Sequence, residues 1–366
     1  MVNKPRESGG LQANRNLKNS DSIDHCPLTI HEYISFAEIF ELALMNKVIR
    51  IGTRESQLAV WQATQVKDLL TKHGFSAELV YIKSEGDIDL KTPLYEMGVQ
   101  GIFTRSLDIA LLNERIDIAV HSLKDVPTQL PNGIVTAAVL QRASYKDLLV
   151  YNNMPEAGNQ QPAIGNAQTT GSGFTIDHSP LTIATSSIRR KAQWLNRYPN
   201  HTIENLRGNV NTRLQKLADS HWNGAIFAAA GLERIGLRPA ASIELDWMLP
   251  APAQGAITVV CRSNDQFAFE ACQLFHDANT ALCTSIERDF LRALLGGCST
   301  PISALAAITG DQLHFQGNIL SLDGTQKATI EKTIAVNNSN NLGVNAAKEL
   351  LENGGQVIAD QIRNGK

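Results

Sequence analysis

From Val48 onward, short apolar runs alternate with longer stretches of helical periodicity. VIRIG is followed by QLAVWQATQVKDLLTKHG, with Ser56 placed to cap the helix and Gly74 placed to end it. ELVYI then precedes a polar loop, and the helical stretch FTRSLDIALLNER leads into IDIAVHS. Short apolar runs between amphipathic stretches are typical of βα units, so this part of the chain predicts a largely parallel sheet.

A second set of βα units follows a Gly/Asn/Gln-rich stretch at residues 152–173. LTIAT, HTIENL and GAIFAAA are predicted strands, and each leads directly into a helix. AITVVCR comes after this set, which suggests that the chain crosses back into the first domain. From about Asn279 we expect a helix, a hairpin turned at Asp323 and Gly324, and helices from Val344 and Gln356.

With 366 residues the chain is too long for one ordinary core. We predict an α/β fold of two domains with mixed βα sheets and a small α+β C-terminal domain. The expected domains are residues 47–142 with 256–275, residues 146–250, and residues 279–366. Residues 1–46 are polar at first and then weakly helical, and we expect a partly disordered extension, with the folded domain beginning near Met45.

Composition excludes several classes of protein. A hydrophobic fraction of 43%, 19% charged residues and a net charge of −3 give no general attraction to nucleic acid or to an anionic membrane. The five cysteines are odd in number and lack metal-ligand spacing, which argues against a disulfide framework and against a metal site. With no signal pattern or apolar span, the sequence predicts a cytoplasmic protein.

Cations follow nearly every predicted strand. They are accompanied by hydroxyl residues and by one aspartate: Arg54 and Ser56; Lys124 and Asp125; Thr185, Ser187, Arg189 and Arg190; Arg207 and Arg213; and Arg234. In open α/β sheets ligands bind beyond the carboxyl ends of the strands, and arginine forks match carboxylates or phosphates. The alternative at any one junction is that serines only cap the helix and arginines lie along its solvated face. Together the junctions predict a polyanionic small-molecule ligand in a cleft.

Asp125 is expected to be the only carboxylate in this cluster and to stay ionised among the cations. Either it stabilises a cationic species and moves protons, or it forms a salt bridge that aligns its loop. Cys298 raises a similar choice, because it follows two glycines in LLGGCSTP. The glycines either end a helix over a buried thiol or clear space around a sulfur that carries a group.

Seven motifs in order make the chain resemble the porphobilinogen deaminase family over nearly all of residues 47–366. They are RIGTRESQLAVWQ, HSLKDVP, ATSSIRRKAQ, LRGNVNTRL, AAAGLERIGL, LPAPAQGA and GGCSTPI. The resemblance implies two domains like those of periplasmic binding proteins (type II), with a third that carries the cofactor cysteine. It also implies a monomeric transferase of heme biosynthesis, a hydroxymethylbilane synthase. Such an enzyme condenses four porphobilinogen molecules head to tail, with loss of ammonia, and releases the linear tetrapyrrole by hydrolysis.

The resemblance also implies roles for single residues. Cys298 would hold a dipyrromethane primer through a thioether, and Asp125 would stabilise positive charge on pyrrole nitrogens. The segment 84–100 would be a mobile cover over the site. The residues implied to bind cofactor and substrate are Arg54, Ser56, Phe103, Lys124, Thr185, Ser187, Arg189, Arg190, Arg207, Arg213, Arg234 and Gln254.

Two other functions stay open from the residues alone. A solute-binding protein could use the same two-domain clasp without chemistry, although it would leave Cys298 and the third domain unexplained. A cysteine hydrolase would need a histidine that folding brings to Cys298, with His221 and His276 as candidates.

Overall fold

The computed structural model describes residues 47–83, 104–152, 168–169, 175–176, 180–294 and 300–364, all within one compact unit that spans residues 44–366. In chain order the strands are β1 (Ile49–Thr53), β2 (Ala77–Tyr81), β3 (Ile118–Ser122), β4 (Ile134–Val139), β5 (Asp147–Tyr151), β6 (Gln168–Thr169), β7 (Thr175–Ile176), β8 (Thr182–Ala184), β9 (Thr202–Glu204), β10 (Gly224–Ala228), β11 (Ser242–Glu244), β12 (Ile257–Arg262), β13 (Ile302–Thr309), β14 (Gln312–Leu320) and β15 (Lys327–Ala335).

The helices of the described residues include α1 (Gln57–Lys72), α2 (Arg105–Leu112), α3 (Ile188–Arg197), α4 (Val210–Ala218), α5 (Ala229–Glu233), α6 (Gln266–Gln273), α7 (Ala278–Leu294), α8 (Leu342–Leu350) and α9 (Gln356–Asn364). The Ser56 Oγ accepts from the Ala59 N–H and so caps α1, as predicted. Gly74 follows that helix with a φ of +87°, a backbone conformation that glycine adopts without strain. Within the described residues, no helix is long and apolar enough to cross a membrane.

The first sheet has the strand order β2-β1-β3-β12-β4. Strand β1 pairs in parallel with β2 and β3, whereas β12 runs antiparallel to both β3 and β4. The predicted return of AITVVCR to the first domain is therefore confirmed, because this segment is β12. Its apolar residues join a core with Ile51, Ile118 and Val66 of α1. The antiparallel pair makes the sheet mixed rather than largely parallel.

The second sheet has the order β11-β5-β10-β8-β9, in which β10, β8 and β9 are parallel and β5 is antiparallel to both β10 and β11. The predicted strands LTIAT, HTIENL and GAIFAAA correspond to β8, β9 and β10. Strand β5, which enters this sheet upstream of residues 152–173, was not predicted. Trp194 of α3 is fully buried on one face of the sheet with Leu149 and Ile226.

Two chain segments connect the two sheets, and they lie side by side. The Ala143 N–H donates to the Gly255 carbonyl over 3.1 Å, and the Arg142 Nε donates to the Gln254 carbonyl over 2.8 Å. Arg142 also binds Glu287 of α7, a fully buried carboxylate that accepts from the Ala253 and Ala306 N–H groups as well. One carboxylate thus ties both crossings to the C-terminal part of the chain.

The C-terminal part forms a three-stranded antiparallel sheet, β13-β14-β15, packed with α7, α8 and α9 around its own core. The predicted hairpin is confirmed, since Leu320 pairs with Lys327 on either side of the Asp323–Gly324 turn. The fold class predicted from the sequence is confirmed as α/β with mixed sheets and a small C-terminal domain.

The tip of this hairpin touches α3 of the second sheet. The Asn196 Nδ2 donates to the Gly324 carbonyl over 2.7 Å. Gly324 has a φ of +77°, and a Cβ there would lie 2.5 Å from the Ala192 carbonyl oxygen. Only a residue without a side chain fits this contact.

Gly324→Ala should therefore lower the free energy of unfolding by at least about 2 kcal/mol, since left-handed strain and a backbone clash add together. Urea denaturation would measure the change. Gly310→Ala is the matched control, because Gly310 also has a positive φ (+62°) but has open space around it, and we expect about 1 kcal/mol there. Equal losses for the two variants would contradict the proposed packing of the tip.

Candidate functional site

The turn after β3 carries Lys124 and Asp125. Leu123 and Val126 on either side are buried, and the Leu123 N–H donates to the Ala256 carbonyl over 3.0 Å. The Asp125 side chain is exposed, while the Lys124 Nζ donates to the Gln254 Oε1 over 3.3 Å. The buried residues fix the turn, so the carboxylate of Asp125 has a defined place at the surface of the first sheet's carboxyl edge.

Gln254 connects this turn to the second sheet. Its side chain is 1% exposed, and its Nε2 donates to the Tyr145 carbonyl (2.7 Å) and to the Asp147 Oδ1 (2.9 Å). The same amide accepts from Lys124, so its donors and its acceptor are both used. Gln254 is therefore held as a rigid bridge between Lys124 and the start of β5.

Asp147 lies at the centre of the cation cluster and is fully buried. Its Oδ2 accepts from the Arg189 Nη2 over 2.7 Å, and its Oδ1 accepts from the Arg190 Nη2 and Nε over 2.7 and 3.1 Å. Burial opposes ionisation, but the two guanidinium groups outweigh it and hold the pKa of Asp147 well below its ordinary value. The expectation that Asp125 is the only carboxylate in the cluster was wrong.

Arg189 and Arg190 are themselves buried, at 4% and 5% exposure. Besides Asp147, the Arg189 Nη1 binds the Leu249 carbonyl (2.7 Å) and the Arg190 Nη1 binds the Ile226 carbonyl (2.9 Å). The Arg189 Nε is buried and has no hydrogen-bond partner in the described part of the chain. Both arginines are therefore paired with Asp147 inside the protein, and their contact with a ligand stays a prediction.

The hydroxyl residues Thr185 and Ser187 accept hydrogen bonds from backbone N–H groups at the N-terminus of α3. The Ser187 Oγ accepts from the Arg190 N–H over 3.4 Å, and the Thr185 Oγ1 accepts from the Ser187 N–H over 3.2 Å. Together with Ser56 on α1, these side chains cap or brace helix starts, which is the alternative that the sequence left open at each junction. A hydroxyl keeps its own hydrogen as a donor while it accepts, so capping leaves these groups able to donate to a ligand.

Lys124, Arg207 and Arg213 complete the cluster. Burial lowers the pKa of Lys124 to about 8, with Arg190 and Arg189 adding to the shift. Burial also lowers the pKa of Arg213 to about 10, and Arg190 and Arg207 lower it further. Asp125 opposes the shift in both cases. These cations crowd one another beside two carboxylates, so the site has an excess of positive charge that an anionic ligand would relieve.

Arg54 and Arg234 are the two remaining arginines that the sequence predicted for the site. Arg54 is half-buried after β1, and its charge adds to burial in lowering the pKa of His121 to about 3, so that His121 is neutral. The Arg234 Nη2 donates to the Gly255 carbonyl over 2.7 Å, and its guanidinium lies 5.8 Å from the centre of the Trp61 ring. Arg234 therefore joins α5 to the first sheet's side of the molecule.

Three predictions fall outside the described residues: Phe103, Cys298 and the cover at 84–100. The hydrolase hypothesis named His276 and His221. His276 uses its Nδ1 to accept from the Val139 N–H over 3.1 Å, and His221 is exposed at the end of the loop before β10. Among described residues the sequence reasoning missed Asp147, whose signal is an acidic residue directly before the apolar run LLVY.

Comparison with known families and structures gives two family matches. Residues 49–270 match the model described as "Porphobilinogen deaminase, dipyromethane cofactor binding domain", and residues 281–352 match "Porphobilinogen deaminase, C-terminal domain". Among solved structures, the methionine-binding protein MetQ aligns at 14% identity over 64% of this chain and 92% of its own, with a TM-score of 0.38. A mutant of ArgBP from T. maritima aligns at 9% identity over 62% of this chain and 87% of its own, with a TM-score of 0.33.

Proposed function

The chain belongs to the porphobilinogen deaminase family, and from this membership we propose that it acts as a hydroxymethylbilane synthase. The family match confirms dipyrromethane as the cofactor and makes the chain an enzyme of tetrapyrrole synthesis. The proposed reaction adds four porphobilinogen molecules head to tail, each with loss of ammonia, and then releases hydroxymethylbilane by hydrolysis. The excess of cations around Asp125 is the observation that carries the proposal.

The donor set fits this cofactor. Dipyrromethane and the growing chain carry acetate and propionate groups, and the site offers guanidinium and ammonium groups whose mutual repulsion and burial lower their pKa values. The buried Arg189 Nε without a hydrogen-bond partner among the described residues is a further donor. We propose that Arg54, Ser56, Phe103, Lys124, Thr185, Ser187, Arg207, Arg213, Arg234 and Gln254 bind cofactor and substrate together with Arg189 and Arg190.

When bound through a thioether to Cys298, the cofactor supplies the nucleophilic pyrrole carbon that the first porphobilinogen extends. The residues of the chain do the rest. The Asp125 side chain is exposed at the surface of the turn after β3, and its carboxylate would stabilise the positive charge that develops on a pyrrole nitrogen as ammonia leaves. Lys124 is oriented by Gln254 and pairs with a ligand carboxylate. Asp147 keeps the arginine pair fixed, so the site needs no rearrangement before it binds an anion.

Intact mass measurement of the denatured protein tests the proposal. Wild-type protein should carry extra mass equal to two linked pyrrole units, and Cys298→Ala should have the mass of the chain alone. Cys283→Ala is the control, because Cys283 is a buried thiol of α7 and should leave the extra mass in place. Wild-type protein that stays at the chain mass even after incubation with porphobilinogen would overturn the proposal and favour a solute-binding role.

We also propose a cytoplasmic monomer whose partner is the small-molecule substrate rather than nucleic acid or membrane. The thiols of Cys261, Cys272 and Cys283 are free and buried, and burial raises the pKa of Cys261 to about 11, so these residues are unreactive. Free thiols suit a reducing compartment. Light scattering at two protein concentrations would detect an oligomer and contradict the monomer.

A further inference from the structure

Arg288 of α7 contacts the turn that carries Asp125. Its Nη1 donates to the carbonyls of Leu123 (3.1 Å) and Val126 (2.9 Å), and its Nη2 donates to the carbonyl of Pro127 (2.6 Å). These carbonyls lie on both sides of Asp125 in the sequence. One guanidinium group therefore binds the backbone of the whole turn from a helix more than 160 residues further along the chain.

The contact uses donors on two nitrogens of one planar group, a geometry that the single nitrogen of lysine does not reproduce. The guanidinium is planar, always charged, and has several N–H groups in a fixed fork, so it can satisfy three carbonyls at once. The turn itself has one internal bond of this kind, from the Val126 N–H to the Leu123 carbonyl (3.2 Å), and its apolar residues belong to a small core with Val139, Ala253 and Ala256. Without Arg288 the turn would keep these contacts, the Leu123 N–H bond to the Ala256 carbonyl and the Lys124 bond to Gln254, but its carbonyls at 123, 126 and 127 would lose the guanidinium donors.

Helix α7 is itself rigidly placed. Glu287, the neighbour of Arg288, is fully buried and binds Arg142, the Ala253 N–H and the Ala306 N–H. The helix ends at Leu294, four residues before Cys298. The same helix thus holds the aspartate turn at one point and leads into the segment of the cofactor cysteine at its end.

We infer that Arg288 is a positioning residue, which fixes the turn of residues 123–127 and thereby the place of the Asp125 carboxylate beside the cation cluster. This inference rests on the proposed function, because it gives Asp125 the role proposed above. Arg288 acts through the backbone of residues 123–127. Its loss allows the turn to move while the cation cluster, which Asp147 and Gln254 hold, stays in place.

The test compares Arg288→Met with Arg292→Met. Arg292 lies one turn further along α7, is about half exposed, and binds only Asp289 of its own helix among the described residues, so it is a matched control for the same substitution. Arg288→Met should lower kcat about tenfold and leave KM for porphobilinogen within about twofold, because a misplaced charge affects the transition state more than binding. Arg288→Lys should fall between wild type and Arg288→Met, and Arg292→Met should match wild type.

Two further measurements separate positioning from a general structural effect. Amide hydrogen exchange at residues 123–127 should be faster in Arg288→Met and unchanged in Arg292→Met. In an Asp125→Asn background, Arg288→Met should change kcat by less than about twofold, because a positioning residue has nothing left to position. Wild-type exchange rates in Arg288→Met, or a full tenfold loss in the Asp125→Asn background, would overturn the inference.

Failure of the proposed function can be distinguished from failure of the positioning role of Arg288. A wild-type protein without the pyrrole mass and without turnover rejects the proposed function, whatever Arg288 does. If the wild-type protein carries the pyrrole mass and turns over porphobilinogen, a normal kcat in Arg288→Met rejects only the positioning role. If Arg288→Met does not fold, Arg288→Lys carries the same test, since it keeps the charge but lacks the planar fork that donates from two nitrogens.

Discussion

Asp125→Asn should lower kcat by about 100- to 1,000-fold, with a thermal unfolding midpoint close to that of wild type. The rate falls because an amide of the same shape carries no charge to stabilise a cationic transition state, and such an electrostatic contribution is typically worth that much. Stability is spared because the side chain is exposed and makes no hydrogen bond to other described residues. Steady-state formation of hydroxymethylbilane and calorimetry would measure the two quantities.

Asp125→Glu is the matched control, because it separates the effect of the negative charge from the effect of where the carboxylate lies. It keeps the carboxylate but moves it by one methylene, so we expect an intermediate rate. If Asp125→Asn kept more than half of the wild-type kcat, Asp125 would have only the loop-aligning role that the sequence left open. A large loss of stability in the same variant would also argue for that role.

Asp147→Asn, unlike Asp125→Asn, should destabilise the protein and lower the free energy of unfolding by about 3–5 kcal/mol. The two guanidinium groups of Arg189 and Arg190 would stay buried without a counter-charge. Removing one partner of a buried ion pair is strongly destabilising because it leaves the other charge buried and unpaired. Denaturant unfolding of both proteins would measure the difference. Asp246→Asn is the control, because Asp246 is mostly exposed in its pair with Lys146 and should cost less than about 1 kcal/mol.

The loss of stability in Asp147→Asn should depend on pH and become smaller in acid. The pKa of Asp147 is lower in the folded protein than its ordinary value of about 3.9 in an unfolded chain. The contribution of the carboxylate to stability is therefore complete above that ordinary pKa and is lost as the pH falls through the folded pKa. The difference between wild type and Asp147→Asn should be constant from about pH 5 to 8 and should shrink below about pH 4. A difference that grows on acidification would contradict the assigned ionisation.

Much of the fold could be predicted from local patterns. The alternation of strands and helices identified β1, β3, β8 and β10, because each is a short apolar run, and Ser56 and Ser187 cap the helices that follow β1 and β8. Strands β4, β5, β11 and β13 were not singled out. Each of them pairs only with antiparallel neighbours and is followed by a loop or crossing rather than by a helix of its own, so the βα pattern gives no signal for it.

The candidate site shows the same division. Cations after strands predicted an anion-binding cleft, since strand ends of one sheet edge meet in space whatever the connections are. Whether a given arginine is already paired could not be predicted, because Asp147 precedes Arg189 by 42 residues and reaches it only through the pairing of β5 with β10. The link from Arg288 to the aspartate turn spans a still longer distance along the chain.

The sequence alone determined the element types, the capped helix starts, the cation-rich strand ends and the family resemblance, because these depend on residues close together in the chain. The tertiary structure decided how these charges are buried and paired inside the protein. It buried Asp147 between two arginines, left Asp125 exposed, and bound the turn of Asp125 to a helix of the C-terminal domain. Two chemically identical carboxylates thereby have different environments, because burial and partners set the cost of charge, and only folding sets burial and partners.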